Sequence, residues 1–282
     1  MLAAQLVQNG LSLNKALRLI GLSKSSYFYR SKSSPFKEAL AKRLRELALE
    51  NPAYGYRRLW ALLRREGFKV GLKRVYTTYR KLGLGLCPCK KRGYKKSRNQ
   101  EDSFPLEPAK KPFERWSLDI KEKRLEDGTK VRIFQVLDEA ARYLLGGWWD
   151  KHIGGEEAAE YFDHLCRTYG PPNEVRRDDG PEFRSGAFQR VLQKWRIRQR
   201  VIPPASPYWN GFIESLHGKE EVEWLSREIF EDFEEFSREF EKFWWHYNYR
   251  RPHSSLGYRC PGEVWEEWFT SKKGGPKNGS GK

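Results

Sequence analysis

The sequence predicts basic all-α segments followed by an α/β domain, a five-stranded mixed sheet with helices. Three observations carry this reading. Apolar residues recur at helical spacing through the first 84 positions. From Phe113 the pattern shortens to runs typical of strands, interrupted by helical stretches. Charge is unevenly placed: of a net +17, residues 1–110 hold 25 Lys and Arg against 7 Asp and Glu, while 111–282 hold 29 against 30. A basic segment joined to a near-neutral, aromatic-rich body reads as a polyanion-binding module on a globular one.

Composition narrows the class. At 38% hydrophobic, with 11 Trp, 14 Tyr and 16 Phe, the chain can build a core, which excludes a disordered protein. The first twenty residues lack a signal-peptide pattern, and no apolar run reaches the ~18 residues of a membrane span. Cys87, Cys89, Cys166 and Cys260 are scattered. Together these predict a cytoplasmic protein with reduced thiols and no membrane partner. Cys87-Pro-Cys89 has no second pair to complete a zinc site, so a structural role is the simpler reading.

The elements follow in order. In 11–30, Ser12 caps a short helix carrying Ala16, Leu17 and Ile20, Gly21 stops it, and Ser23 caps a second. That outline suits a helix-turn-helix or an ordinary αα-hairpin equally. A second helical unit spans 35–84, with helices over 39–49, 57–66 and 72–82. Leu59, Leu62 and Leu63 face a core, Arg57 and Arg58 are basic, and Gly67 is a C-terminal stop. Its last helix carries Lys73, Arg74 and Arg80, suited to a major groove. Residues 85–112 form a basic linker with Lys90, Lys91, Arg92, Lys95 and Lys96, a solvated tether that also tracks phosphates. Strands are expected at 116–120, 130–137 and 142–149, then a helix at 156–169, a strand at 173–177, a helix at 185–195 and a strand at 198–202. Residues 220–241, with ten acids and Phe at three- and four-residue spacing, read as one amphipathic helix whose aromatic stripe is core. The element order is that of a ribonuclease-H-like domain over 113–225, completed by 226–265 and followed by a flexible tail over 266–282.

Within that order three carboxylates fall where a sheet would gather them. Asp119 lies on the first strand, Asp178 at the end of the fourth, and Glu214 on the helix beyond the fifth. Phosphodiester chemistry without a protein nucleophile needs an activated oxygen and charge neutralisation at phosphorus, which two Mg²⁺ held by such carboxylates supply. Each alone has a plainer reading. Asp178 suits a turn before Gly180, Asp179 competes with it, and Glu214 suits the first turn of a helix.

Five motifs tie the chain to a family: Tyr54-Gly-Tyr-Arg-Arg-Leu-Trp60, Trp116-Ser-Leu-Asp119, Asp178-Asp-Gly-Pro-Glu-Phe183, Ser206-Pro-Tyr-Trp-Asn-Gly-Phe-Ile-Glu214-Ser-Leu-His-Gly218 and His246-Tyr-Asn-Tyr-Arg-Arg-Pro-His-Ser-Ser-Leu-Gly-Tyr258. Over roughly 10–265 the chain resembles the DDE transposases of the retroviral-integrase-like superfamily, and more narrowly the second-frame catalytic product of two-frame bacterial insertion sequences. The resemblance implies that Asp119 bridges two Mg²⁺ or Mn²⁺, and that Asp178, rather than Asp179, and Glu214 each hold one. It implies 3′-end nicking at insertion-sequence ends and transfer of the 3′-hydroxyl into DNA, usually replicatively through a circular intermediate. Its partners would be terminal inverted-repeat DNA, target DNA, a second copy in a synaptic complex, and an upstream-frame DNA-binding product, in the nucleoid of a bacterium. Asn210 is a candidate neighbour of the DNA end or a helix cap, and Lys219, Arg250, Arg251 and His253 are candidate DNA contacts. The chain departs from the family in Asp179, where a neutral residue is usual, and in Glu220 and Glu221, where related enzymes place lysines. A nuclease that only hydrolyses and a non-catalytic DNA-binding regulator are the alternatives on the same fold.

Overall fold

A computed structural model of the chain describes residues 2–28, 35–85, 107–203 and 207–272. The linker cations Lys90, Lys91, Arg92, Lys95 and Lys96, the Cys87–Cys89 pair and most of the C-terminal tail lie outside the described residues. Cys166 and Cys260 are buried and free. No helix among the described residues is long and apolar enough to cross a membrane.

Three short helices open the chain: α1 (Leu2–Gln8), α2 (Leu13–Leu19) and α3 (Lys24–Phe28). Ser12 precedes α2, Gly21 turns the chain at φ +65°, and the Ser23 hydroxyl accepts from the Ser26 amide at 3.1 Å to open α3. The sequence pattern did not anticipate α1, which buries only Ala3 and so carries little periodic signal. The second unit is α4 (Pro35–Glu50), α5 (Tyr56–Arg65) and α6 (Leu72–Lys81). α4 starts four positions before the expected 39, at a proline whose missing N–H costs nothing in a first turn. Leu40, Leu44 and Leu47 of α4 pack with Leu59, Leu63, Val75 and Tyr79 in a core of their own. Arg43 joins Glu66 at 2.6 Å and Glu46 and Glu50 at 3.0 Å, fastening α4 to the end of α5.

The sheet has five strands: β1 (Arg115–Arg124), β2 (Lys130–Asp138), β3 (Leu144–Asp150), β4 (Glu174–Arg177) and β5 (Arg198–Val201), in the order β3-β2-β1-β4-β5. β1–β2 and β2–β3 are antiparallel, β1–β4 and β4–β5 parallel. One face is covered by α7 (Gly155–Tyr169), α8 (Pro181–Arg184) and α9 (Gly186–Lys194), burying Trp116, Leu118, Phe134, Phe162 and Phe188. The helix expected over 185–195 is α9, which Ser185 caps by accepting from the Phe188 amide at 3.1 Å; the sequence pattern did not anticipate the short α8 before it. β3 starts two residues later than expected, since Arg142 takes a left-handed turn conformation, φ +56°.

The other face holds α10 (Gly211–Glu220), a π-helical turn (Glu221–Leu225) and α11 (Phe233–Trp245). The single helix expected over 220–241 is two. Asp232 starts α11 by accepting from the Glu235 amide at 2.8 Å, while Glu235 accepts from the Glu231 amide at 2.7 Å. Between the helices Phe230 turns inward against Trp224, ring centroids 5.1 Å apart. The expected aromatic core stripe is present: Phe236, Phe240 and Phe243 are buried beneath the sheet. α12 (Pro261–Lys272) returns to the first face, where Trp265 stacks on Tyr143 at 5.0 Å.

The helical unit docks on the C-terminal block. Tyr54 Oη lies 2.8 Å from His246 Nε2, Arg65 meets Glu263 at 2.6 Å, and Arg58 meets Glu223 at 2.7 Å.

Candidate active site

The alternation of β1 decides where its side chains go. Trp116, Leu118 and Ile120 enter the core beneath α7. Ser117, Asp119 and Lys121 therefore face the side that carries α10. Asp119 is paired across β2 with Gln135. In the parallel β1–β4 ladder Ser117 sits opposite Arg176. Continuing that register by two residues sets Asp119 against Asp178, just past the end of β4.

α10 is fastened to the sheet at both ends. At its start Asn210 is buried, and its Nδ2 donates to the Leu118 carbonyl at 3.3 Å. Arg176 donates to the Trp209 carbonyl at 2.6 Å. At its end Glu220 is fully buried, 2.5 Å from Lys121 Nζ, and accepts from Gln135 Nε2 at 3.2 Å. Glu214 lies in the first turn of this braced helix.

Burial pushes the Asp119 carboxyl up to about 7, and the charges of Asp178 and Glu214 push the same way, against a smaller pull from Lys121. Asp119 thus feels both other carboxylates. Asp178 Oδ1 accepts from the Gly180 amide at 3.1 Å, whereas Asp179 turns to Arg177, 3.8 Å away. Asp178 and Glu214 are exposed, and among the described residues no three His, Cys, Asp or Glu are drawn in tightly enough to hold a metal ion as they stand. The chemistry of the donor set nevertheless fits a hard divalent cation: all-oxygen, anionic, with mutual repulsion that a cation relieves.

His217, one turn beyond Glu214, places Nδ1 3.5 Å from Asp119 Oδ2. Burial and the neighbouring Lys121 push its imidazole down to about 3, so it is neutral. Sequence reasoning quoted His217 within a motif and gave it no role. Its i, i+3 offset from Glu214 is the signal that would have placed it on the same face.

Comparison with known proteins gives the family. The Integrase core domain family matches residues 109–207 and 195–261, and an HTH-like domain matches 35–93. The insertion element IS407 uncharacterized 31.7 kDa protein of Burkholderia multivorans is 34% identical over 253 residues, covering 90% of each chain. The chain belongs to the DDE transposases of the integrase superfamily. It is a polynucleotidyl transferase. Transposase InsD for insertion element IS2A/D/F/H/I/K of Escherichia coli is 28% identical over 240 residues, 78% of this chain and 76% of that one. The cryo-EM structure of the simian T-cell lymphotropic virus intasome in complex with PP2A regulatory subunit B56 gamma shares the fold, with TM-score 0.51 at 16% identity, covering 80% of this chain and 74% of that one.

The transposase distributes its expected DNA contacts unevenly. Arg57, Lys73, Arg74 and Arg80 are exposed on α5 and α6, and Arg250 is exposed beside Trp245. Arg58 and Arg251 are not free cations: both are held by Glu223, Arg251 through two bonds of 2.6 Å. Arg251 and His253 are buried, as is Asn210, whose amide is engaged by β1 and caps nothing. Lys219 is half-buried and donates to Ser215 at 2.6 Å.

Proposed function

We propose that Asp119, Asp178 and Glu214 form the catalytic centre of a transposase that nicks the ends of an insertion element and joins the freed 3′-hydroxyls to DNA. The observation that carries the reading is the parallel β1–β4 register, which continues to set half-buried Asp119 against Asp178, with Glu214 on the helix braced over the same face. Asp119, Asp178 and Glu214 would together hold two divalent cations, Mg²⁺ or Mn²⁺. When bound, such a pair supplies charge neutralisation at the scissile phosphate and eases deprotonation of the attacking oxygen.

The chain's own residues position this chemistry. His217 borders the site, its Nδ1 3.5 Å from Asp119 Oδ2. Lys121, Gln135 and Asn210 hold α10, and with it Glu214, against the sheet. In the nicking step a water oxygen bonds to phosphorus as the bond to the 3′-oxygen breaks, leaving a 3′-hydroxyl and a 5′-phosphate. In the joining step that 3′-oxygen bonds to a target phosphorus, its proton leaves, and the displaced 3′-oxygen takes one up. The number of phosphodiesters is conserved. The exposed cations of α6 suit a major groove. Joining two ends calls for at least two copies, and an upstream-frame DNA-binding product would complete end recognition.

The test is to incubate the purified chain with a 3′-hydroxyl-ended terminal oligonucleotide, a plasmid and Mg²⁺. Joined product is expected. Hydrolysis without joining would instead favour a nuclease, and unchanged DNA processing by Glu214→Gln would overturn the catalytic reading.

A further inference from the structure

α10 has a second working face. Ser215 and Lys219 lie one turn apart along it, about 100° and 140° round the helix from Glu214. Facing them is Arg142, held left-handed in the β2–β3 turn at φ +56°, its guanidinium 4.1 Å from the centre of the Phe212 ring. Such backbone strain in a non-glycine residue persists only where the surroundings enforce it. Between these residues and His253 and Ser255 of the C-terminal block lies a cavity of about 310 Å³.

The charges around this cavity are unbalanced. Arg142 Nη1 is buried with no hydrogen-bond partner among the described residues. Lys219 donates to a neutral hydroxyl, Ser215 Oγ at 2.6 Å. No acid lines the cavity among the described residues. Glu223 is closed on Arg58 and Arg251 at 2.7 and 2.6 Å. Burial, with smaller pushes from Arg251, Lys219 and Arg142, holds the His253 imidazole down to about 2. Neither Arg142 nor Lys219 forms an ion pair among the described residues, and burial lowers the Lys219 ammonium to about 7, so an entering anion would complete the arrangement and favour the charged lysine.

We propose that this cavity seats a phosphate of the DNA backbone beside the catalytic carboxylates, with Arg142 and Lys219 neutralising it and Ser215 and Ser255 donating to its oxygens. The identification of the anion as DNA rests on the proposed transposase reaction. Arg142 is the new element, since it belongs to none of the basic segments from which DNA contacts were expected.

The test uses the intact chain and a random-sequence 30-base-pair duplex, with affinity measured across a salt series. Each phosphate contact contributes about 0.9 to the slope of log affinity against log salt. Arg142→Gln and Lys219→Gln should each flatten the slope by about that amount, whereas Lys219→Arg should keep it. If Arg142→Gln fails to fold, Lys219→Gln carries the test alone. Unchanged slopes in folded variants, with end joining intact in the wild type, would sink the pocket and leave the proposed function standing. Flattened slopes with a wild type that never cuts or joins would do the reverse. Inorganic phosphate that binds the wild type but not the variants, while their DNA slopes stay equal, would assign the cavity to the free ion and overturn its DNA role.

Discussion

Lys121 Nζ lies 2.5 Å from Glu220 Oε2, and the carboxylate is fully buried. The pair joins the strand of Asp119 to the helix of Glu214, with Gln135, the cross-strand partner of Asp119, on the same carboxylate. Removing one partner leaves an uncompensated buried charge, so Lys121→Met should cost about 3–5 kcal/mol. Replacing both, as Lys121→Met with Glu220→Leu, should restore most of the stability, because an apolar pair needs no desolvation. Strand transfer should stay low in the double variant, since α10 has lost its bracing. Urea melts and joining assays on the same samples separate the effects. Full activity in the double variant would show that the pair positions nothing.

Asp178 and Asp179 are adjacent aspartates, both exposed, yet the first is the one that bears on Asp119. Asp179 faces Arg177 at 3.8 Å. Asp178→Asn should therefore lower nicking and joining by at least roughly 10²–10³-fold, the scale for losing one preorganised charge-stabilising group. Asp179→Asn should change them by no more than a few-fold. The opposite ranking would move the site by one residue.

His253 sets a pH dependence of stability. Buried among Arg251, Lys219 and Arg142, its imidazole stays neutral in the folded chain down to about 2, whereas the unfolded chain protonates near 6.5. Its folded pKa is depressed, so its contribution is complete above 6.5 and is lost as pH falls, by up to about 1.36 kcal/mol per pH unit. His253→Gln should lose less stability than the wild type between pH 6.5 and 4. His217 and His246 titrate in both proteins, so their contributions cancel in the comparison. Parallel curves for the two proteins would contradict the buried neutral imidazole.

Gly147 lies under Phe240, and a Cβ there would sit 2.3 Å from the ring. The ring has little room to yield, being packed at 4.6 Å from Trp149. Gly147→Ala should cost about 1–3 kcal/mol by overpacking, and Phe240→Leu should relieve part of it. Gly218 in α10 has nothing within 4 Å, so Gly218→Ala should instead stabilise by roughly 0.5–1 kcal/mol. Thermal midpoints of the three variants check the sign at each site.

Much of the site was legible in the chain because it depends on local periodicity. Strand alternation around Trp116 and Leu118 places Asp119 on the face opposite the core. The helical signals over 156–169 and 185–195 match α7 and α9, which separate β3, β4 and β5 along the chain. The division of 220–241 into two helices was less visible. Its cause is a local cap at Asp232 and the inward turn of Phe230, within a stretch whose Phe spacing alone suits a continuous helix.

By itself the sequence determined the fold class, the order of the three carboxylates and the basic character of the N-terminal half. These follow from periodicity, motif spacing and summed charge, which need no knowledge of what touches what. Only the tertiary structure decided which charges remain available. Arg58 and Arg251 read as DNA contacts, yet Glu223 meets both, across 165 and 28 residues of chain. Arg142 reads as part of a strand, yet it lines a cavity without a counter-charge. A charge is free or engaged according to its neighbours within a few ångströms, and packing brings those neighbours from distant parts of the chain.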